Sequence, residues 1–503
     1  MNEITHCHNQ RPIYRKNDKN IFEWKNPKKV MGEKQDNYYY NYHPFVIDIE
    51  TSAELGQRPI LLVGYDSLEK TLIILYTVDY QGYELYKGKA KKLIENAGDI
   101  DYNRIIVDNL SITKFEEYVL KKIHNWNKKA DERNDSNRKS LVAHNASFDI
   151  PMMGTPNDEL LDKPKVSGEY EMSVSYKDYC MLAHRAGAFG HIYSFRSYRN
   201  GFEMLNIPVG DTQVGAKSLW IGETSSLVNV AKDLDVDIEV SESEEHGNLN
   251  NEYVKYCIND VIATYKIYNK MQGRVYDMFG NLPLERIYST ASIGKYVLRE
   301  MDYKRVGYTQ NAVDRIVPAY FGGRTDAYIT GEIVENLRYT DILSQYPTVS
   351  KLTNVWEYMQ CQTVDIQEID KDNLPDIKPK ELKNPKKWKE ISEYYVKIEA
   401  NNDTLPVRTR YFDDSTKVIT AKVTTEKDLM YHYMDVISSK LIDQNNNIEI
   451  KNAWKVTKKG EQNLSKTEIA GVKLKPKDNV MAKSIESRKE IQKEKGKNSQ
   501  TKN

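Results

Sequence analysis

No stretch of this sequence approaches the roughly 18 to 20 consecutive apolar residues of a membrane-spanning helix. No apolar run of signal-peptide kind follows the N-terminus. Net charge is also missing: 73 lysines and arginines stand against 73 aspartates and glutamates, so no global field announces a nucleic-acid partner, although segregated patches stay open. The four cysteines (Cys7, Cys180, Cys257 and Cys361) include no C-x-x-C pair, which argues against a disulfide framework or zinc ribbon. Reduced thiols in a cytoplasmic, intracellular setting are expected, with no membrane as partner. His6-Cys7-His8 has the residue types to clip a metal, but reads more simply as a terminal tail. No internal repeat stands out, which excludes a solenoid.

What is present is a chain of 503 residues, long enough for about two to four domains. Its 39% hydrophobic and 29% charged residues suit a protein that buries cores. The 36 tyrosines exceed what cores require and would suit surfaces that stack bases, though biased codon usage gives the same excess.

Residues 1–42 are polar and read as a poorly ordered arm. The apolar runs "FVIDI", "PILLVGYDS" and "TLIILYT" then predict a β-meander at the start of an α/β domain. "KFEEYVLKKIHNWNKKADE" has helical spacing, and "RNDSNRKS" reads as a polar loop before "LVAHNASFDI". Residues 250–271 predict a helix whose stripe is Val254, Cys257, Ile258, Val261 and Ile262. Further on, "STASIGKYVLREM" predicts a helix, and "EYYVKIEA", "TKVITAKVT" and "NIEIKNAWKV" predict strands. "TTEKDLMYHYMDVI" reads as a helix with Thr425 and Asp428 at capping-box spacing.

Carboxylates in the first half draw notice. Asp48 and Glu50 in "VIDIET" lie two apart on a strand, so both leave the same face. Like charges so placed repel unless cations lie between them; taken alone, solvent-facing strand acids look the same. "HNASFD" adds Asp149, which alone suits an Asx-turn loop. Tyr256 and Asp260, four apart in "YCIND", share a helix face that reads as separate from the apolar stripe, and alone they suit solvated surface. Together, carboxylates from a strand, a turn and a late helix can converge on two Mg²⁺ ions (Mn²⁺ serving as well) about 3.5 to 4 Å apart, the arrangement that cleaves phosphodiesters.

In this order, D-x-E, N-x-x-F-D and Y-x-x-x-D resemble the three motifs of the DEDDy 3′–5′ exonucleases, proofreading domains with a ribonuclease-H-like fold. The resemblance implies that Asp48, Glu50, Asp149 and Asp260 hold the metals and that Tyr256 positions the attacking water. It further implies that Asn145 and Phe148, with Thr51 and His144, hold the 3′ end of single-stranded DNA.

"AYFGGRTDAY" places Tyr320 before Gly322, Gly323 and Arg324, a sequence that alone is an ordinary Gly-Gly turn. Eighteen residues later "DILSQYP" (Asp341 to Pro347) resembles motif A of family B DNA polymerases, with Gln345 where leucine is usual. The Y-x-G-G element before it is typical of the protein-primed branch of phages and linear plasmids. The resemblance implies that Asp341 and the Ile342 carbonyl bind catalytic Mg²⁺, and that Tyr346 packs under the incoming dNTP and excludes a 2′-hydroxyl. Tyr320, Gly322, Gly323 and Arg324 would touch primer–template DNA. Arg488, Lys489 and Lys493 near the C-terminus are candidate dNTP-binding residues, with a solvated charge run as the alternative.

The expected architecture is α/β and α+β. After the arm come a ribonuclease-H-like exonuclease domain over 43–272 and a connector over 273–318. A partial polymerase palm follows over 319–480, with 355–480 reading either as a protein-priming insertion or as plain palm, and then the basic start of the fingers over 481–503. No "DTD"-like turn and no "NSxYG" motif follow Asp341, so the chain reads as stopping before motif B. Degradation of single-stranded DNA is therefore the activity expected to work, with synthesis in doubt. The partners expected are DNA, dNTPs, a terminal (priming) protein and a C-terminal polymerase chain. A stand-alone nuclease, or the non-catalytic half of a split polymerase, is the alternative.

Overall fold

The computed structural model describes residues 14–16, 21–24, 41–53, 57–78, 80–97, 100–160, 170–186, 190–198, 203–221, 224–237, 247–301, 303–320, 345–402, 404–410, 416–420, 423–424, 429–443, 447–462, 467–469 and 472–474. The chain is mixed α and β with several sheets and divides into two units. The first is chiefly Pro27–Leu298; the second is chiefly Arg299–Glu468 together with Pro12–Asn26. The polar opening therefore does more than trail as an arm. It supplies strands β1 (Tyr14–Lys16) and β2 (Ile21–Trp24) to the second unit's sheet, with β2 paired to Tyr308 and Thr309.

The first unit is built on β3 (Asn41–Thr51), β4 (Pro59–Asp66), β5 (Thr71–Tyr76), β6 (Arg104–Asn109) and β7 (Asn137–Ala143). Strands β3, β4 and β5 form the expected antiparallel meander, while β7 joins β3, and β6 joins β5, in parallel. A second, five-stranded sheet contains β8 (Thr155–Pro156), β9 (Met172–Ser175), β10 (Tyr179–Arg185), β11 (His191–Ser197) and β12 (Glu203–Met204). Strand β13 (Val209–Asp211) completes the first sheet beside β7 in parallel, giving the order β13-β7-β3-β4-β5-β6.

Both faces of this central sheet are buried, which is why its strands read as continuous apolar runs. Val46, Leu61, Val63, Leu72 and Ile74 face one core, whereas Phe45, Ile47, Ile49, Leu62, Ile73 and Leu75 face the other. The period-2 geometry then assigns Asp48 and Glu50 to the Val46 face. Helices α1 (Lys87–Glu95), α2 (Ile112–Phe115), α3 (Lys121–Glu132), α4 (Ala146–Met152), α5 (Thr212–Leu219), α6 (Leu227–Asp233), α7 (Asn251–Phe279) and α8 (Thr290–Glu300) cover these faces. A π-turn over Glu116–Leu120 joins α2 to α3.

Helix α7 supplies the core on the Asp48 face through Val254, Cys257, Ile258, Val261, Ile262 and Ile267. It runs through residues 273–279, which were expected to begin a connector. Gly273 sits within it, because a glycine inside an otherwise favourable helix costs only about 1 kcal/mol. The division between units accordingly falls after Leu298, past the expected domain end at 272.

"RNDSNRKS" is not all loop. Asn137 to Ser140 already belong to β7, and Lys139 is fully buried. Its ammonium donates to Asp66 Oδ2 at 2.7 Å and Glu69 Oε1 at 2.8 Å, while its backbone exchanges hydrogen bonds with the Asn127 amide. Burial raises Glu69, but the hydrogen bonds from Lys139 and Lys122 outweigh it and bring the carboxyl down to about 2. Removing one member of such a pair strands the other charge. Lys139→Met should therefore cost about 3 to 5 kcal/mol in denaturant unfolding, and Lys139→Met with Asp66→Asn should recover part of the loss.

The second unit's sheet has the order β1-β2-β14-β15-β21-β16-β19, from β14 (Gly307–Thr309), β15 (Cys361–Ile369), β16 (Tyr394–Asn402), β19 (Val423–Thr424) and β21 (Asn447–Glu461). A separate hairpin pairs β17 (Pro406–Arg410) with β18 (Thr416–Thr420). Its cores gather Val396, Ile398, Tyr431 and Ala453, and Val364, Ile366, Trp454 and Val456. The stretch expected as one helix from residue 424 is instead β20 (Leu429–His432) followed by a helix over Tyr433–Ile442. Pairing of Leu429 to His432 with Ile398 to Tyr395 overrides helical spacing there. His432 Nδ1 accepts from Met434 N at 3.2 Å, capping the helix. Thr425 and Asp428 lie outside the described residues.

Candidate metal centre and active site

Helix α7 and strand β3 meet at the acids. Parity on β3 points Asp48 and Glu50 at α7, and Tyr253, Cys257 and Asp260 occupy one face of that helix at i, i+4 and i+7. Donor atoms of Asp48, Glu50 and Cys257 all lie within 4.8 Å of one another. The Cys257 thiol donates to Asp48 Oδ2 at 3.2 Å, and the Tyr253 hydroxyl donates to Glu50 Oε2. Asp149, near the start of α4, accepts from Ile49 N at 3.2 Å, which ties it to the backbone between the two β3 acids. The expected separation between the Tyr256–Asp260 face and the apolar stripe does not hold: Asp260 is only 9% exposed, beside Cys257 on the sheet-facing side.

Electrostatics mark the cluster. Burial raises Asp48 well above the carboxylate range, and the charges of Asp149, Asp260 and Glu50 raise it further. Burial likewise raises Asp149, with Asp211 and Glu50 adding to the shift. Asp260 is pushed up to about 7 by burial and by Glu50, against a hydrogen bond from Tyr256 that favours its charged form. Its Oδ1 is buried with no hydrogen-bond partner. Converging acids that repel one another, with one carboxylate oxygen left orphaned, are the donor set a hard divalent cation satisfies.

A pH dependence follows. A group whose folded pKa is raised contributes stability that is complete below its unfolded value, 3.8 for Asp260, and is lost as pH rises through about 7. The stability of metal-free protein relative to Asp260→Asn should therefore fall across that window, by at most about 1.4 kcal/mol per pH unit. Added Mg²⁺ should reverse the fall. Thermal melts across pH with and without metal measure both effects.

Around the acids, Tyr256 stacks on Tyr253 with centroids 6.2 Å apart and planes 4° from parallel. Phe148, next to Asp149, is 37% exposed, and Thr51 is half-buried at the end of β3. Asn145 sits at φ 76°, ψ 57° in the left-handed region, with its side-chain oxygen accepting from Ser147 at 2.7 Å. His144 is committed inward: Nδ1 meets Thr212 Oγ1 at 3.0 Å and Nε2 meets the Ser225 carbonyl at 2.9 Å. Burial lowers its pKa to about 4, so it is a neutral positioning group rather than a cation open to DNA.

Three contributors escaped the sequence reading. Cys257 and Tyr253 look like stripe and surface until β3 is laid against them. Asp211 accepts from the backbone N–H groups of Asn145, Ala146, Gln213 and Val214 at 2.9 to 3.2 Å. It thereby caps α5 and fixes the turn that carries Asp149; "DTQ" before a helical run was a legible capping signal. Gly247 (φ +85°) precedes α7 where an added Cβ would lie 2.3 Å from Ala53 N, so the chain passes against the end of β3 only as glycine.

In the second unit, helix α10 (Gln345–Leu352), which among the described residues follows α9 (Gln310–Ile316), carries Tyr346 at 83% exposure, and Tyr320 is 58% exposed. Asp341, Ile342, Gly322, Gly323, Arg324, Arg488, Lys489 and Lys493 lie outside the described residues.

Residues 231–441 match the family model of DNA polymerase type B, organellar and viral. Among solved structures, Phi29 DNA polymerase complexed with primer-template DNA is similar at 13% identity over 83% of this chain, with a TM-score of 0.37, too shallow a likeness to carry an argument. The chain spans 62% of that polymerase's length. No curated protein matches. The matched segment covers less than half of the chain and includes both Tyr256–Asp260 and Asp341–Pro347.

Proposed function

We propose that this chain is a DNA-directed DNA polymerase of the protein-primed type whose first unit is a 3′–5′ exonuclease acting on single-stranded DNA. The observation that carries the nuclease is the convergence of Asp48, Glu50, Asp149 and Asp260 from three separate segments into one mutually repelling, largely buried cluster. The polymerase reading rests on the family match across the motif-A-like residues.

The four carboxylates would hold Mg²⁺ or Mn²⁺. Bound there, two such ions stabilise the attacking and leaving oxygens of phosphodiester cleavage. The protein's own groups position and exclude. Tyr253 holds the Glu50 carboxylate by its hydroxyl. Tyr256, hydrogen-bonded to Asp260, has its hydroxyl placed to orient a water. Phe148, half-exposed, offers a face on which a 3′-terminal base can stack. Thr51 ends β3 and Asn145 forms the turn into α4, where each would meet the terminal nucleotide. In synthesis, Asp341 with the Ile342 carbonyl would bind metal and Tyr346 would sit under the dNTP sugar. Arg488, Lys489 and Lys493 would meet the triphosphate. Primer–template DNA, dNTPs and a terminal protein would be the partners, in an intracellular setting.

Single-stranded DNA labelled at either end tests the nuclease. Release should begin at the 3′ end, require Mg²⁺ or Mn²⁺ and stop on chelation. Loss from the 5′ end, or degradation without metal, contradicts the reading. Asp341→Asn should leave degradation intact while removing any primer extension.

A further inference from the structure

Cys257 occupies a place that the nuclease chemistry does not require. Its sulfur lies 3.2 Å from Asp48 Oδ2, and it shares with Asp48 and Glu50 a space in which all three donor atoms fall within 4.8 Å. Two donors on one tetrahedral zinc-class ion, one sulfur and one oxygen, are separated by about 3.6 Å given the usual bond lengths of about 2.3 and 2.1 Å. The three side chains therefore need only small rotations to close on a single ion. A second feature points the same way. One turn along α7, Asp260 is 91% buried and its Oδ1 has no hydrogen-bond partner, and it lies near enough to Asp48 and Glu50 for their charges to act on one another. A buried thiol and two strand carboxylates make a mixed sulfur–oxygen donor set, unlike the all-oxygen set that favours Mg²⁺, with the orphaned Asp260 oxygen one turn away beside it.

We propose that Cys257 is a metal ligand of this centre, joining Asp48 and Glu50 to bind a thiophilic divalent cation of the zinc or cadmium class in competition with Mg²⁺. Binding forms one metal–sulfur bond and releases the thiol proton to solvent, with no change of oxidation state. The proposal shares the carboxylate cluster with the nuclease reading but does not depend on catalysis.

The test uses the full-length protein carrying Cys7→Ser, which removes the thiol of the His6-Cys7-His8 tail. Titration with Cd²⁺ should develop the ultraviolet thiolate-to-cadmium charge-transfer band at one ion per chain. Adding Cys257→Ser should abolish the band and weaken Cd²⁺ binding by at least about tenfold, the smallest loss expected even for an outer-shell partner. Absence of the band with Cys257 intact, or its persistence in Cys257→Ser, overturns the proposal. Cadmium X-ray absorption of the Cys7→Ser protein needs no change at Cys257 and should show one sulfur among oxygen neighbours; an all-oxygen shell overturns the assignment. A protein that shows the band but leaves single-stranded DNA intact refutes the nuclease reading alone. One that degrades DNA without the band refutes the thiol ligand alone.

Discussion

Replacing Asp48 and Glu50 together by alanine should reduce Mg²⁺-dependent degradation of single-stranded DNA by about a thousandfold or more. The magnitude follows from the several kcal/mol that metal ions supply to a charged transition state, each 1.36 kcal/mol being a factor of ten. The fold should survive, because these acids oppose it when no cation is bound. Burial and the neighbouring charges disfavour ionised Asp48, so removing it relieves repulsion on Asp149 and Asp260. At neutral pH the double variant should thus melt no lower than the metal-free parent, and Mg²⁺ should no longer raise its melting temperature. Retained degradation would place the site elsewhere. A collapse in stability would mean that the carboxylates are structural.

Asp211→Ala should be the most damaging single change near the site, although Asp211 is no proposed metal ligand. Its carboxylate accepts four backbone N–H groups, from Asn145 and Ala146 at the turn into α4 and from Gln213 and Val214 at the start of α5. Burial raises its pKa, and those four donors pull the shift back. Alanine leaves them unpaired beside a left-handed Asn145. A lost cap costs about 1 kcal/mol and each buried orphan about 1 to 3 kcal/mol, so about 3 to 5 kcal/mol is expected in denaturant unfolding. Asp149 rides on the freed turn, so degradation should drop further than stability predicts. Asp211→Asn, which keeps an accepting oxygen, should recover most of the stability. Equal losses in the two variants would refute the capping role.

Much of this was legible in the residues because it is local. Strand parity placed Asp48 and Glu50 on one face, and the apolar runs of β3, β4 and β5 announced a meander. The stripe of α7 announced a core helix. Legibility failed where a partner far along the chain decides. Lys139 sits in a string that reads as polar loop, yet it is buried because Asp66 and Glu69, some 70 residues earlier, receive its charge. Leu429 to His432 have helical spacing but extend because β16 offers a free edge. His144 looked open to DNA until Thr212 and Ser225 claimed both ring nitrogens.

The sequence by itself determined the order of the acidic motifs, the residue types able to hold divalent metal, and the strand and helix on which most of them ride. These follow from short-range geometry, where a period of two or of 3.6 residues suffices. Only the tertiary structure decided that Cys257 and Tyr253 join the acids. Both belong to a helix face that looks merely apolar or exposed along the chain, and they meet Asp48 and Glu50 across about 200 residues through the packing of α7 on β3. Which side chains share a cation depends on that docking, and no local period records it.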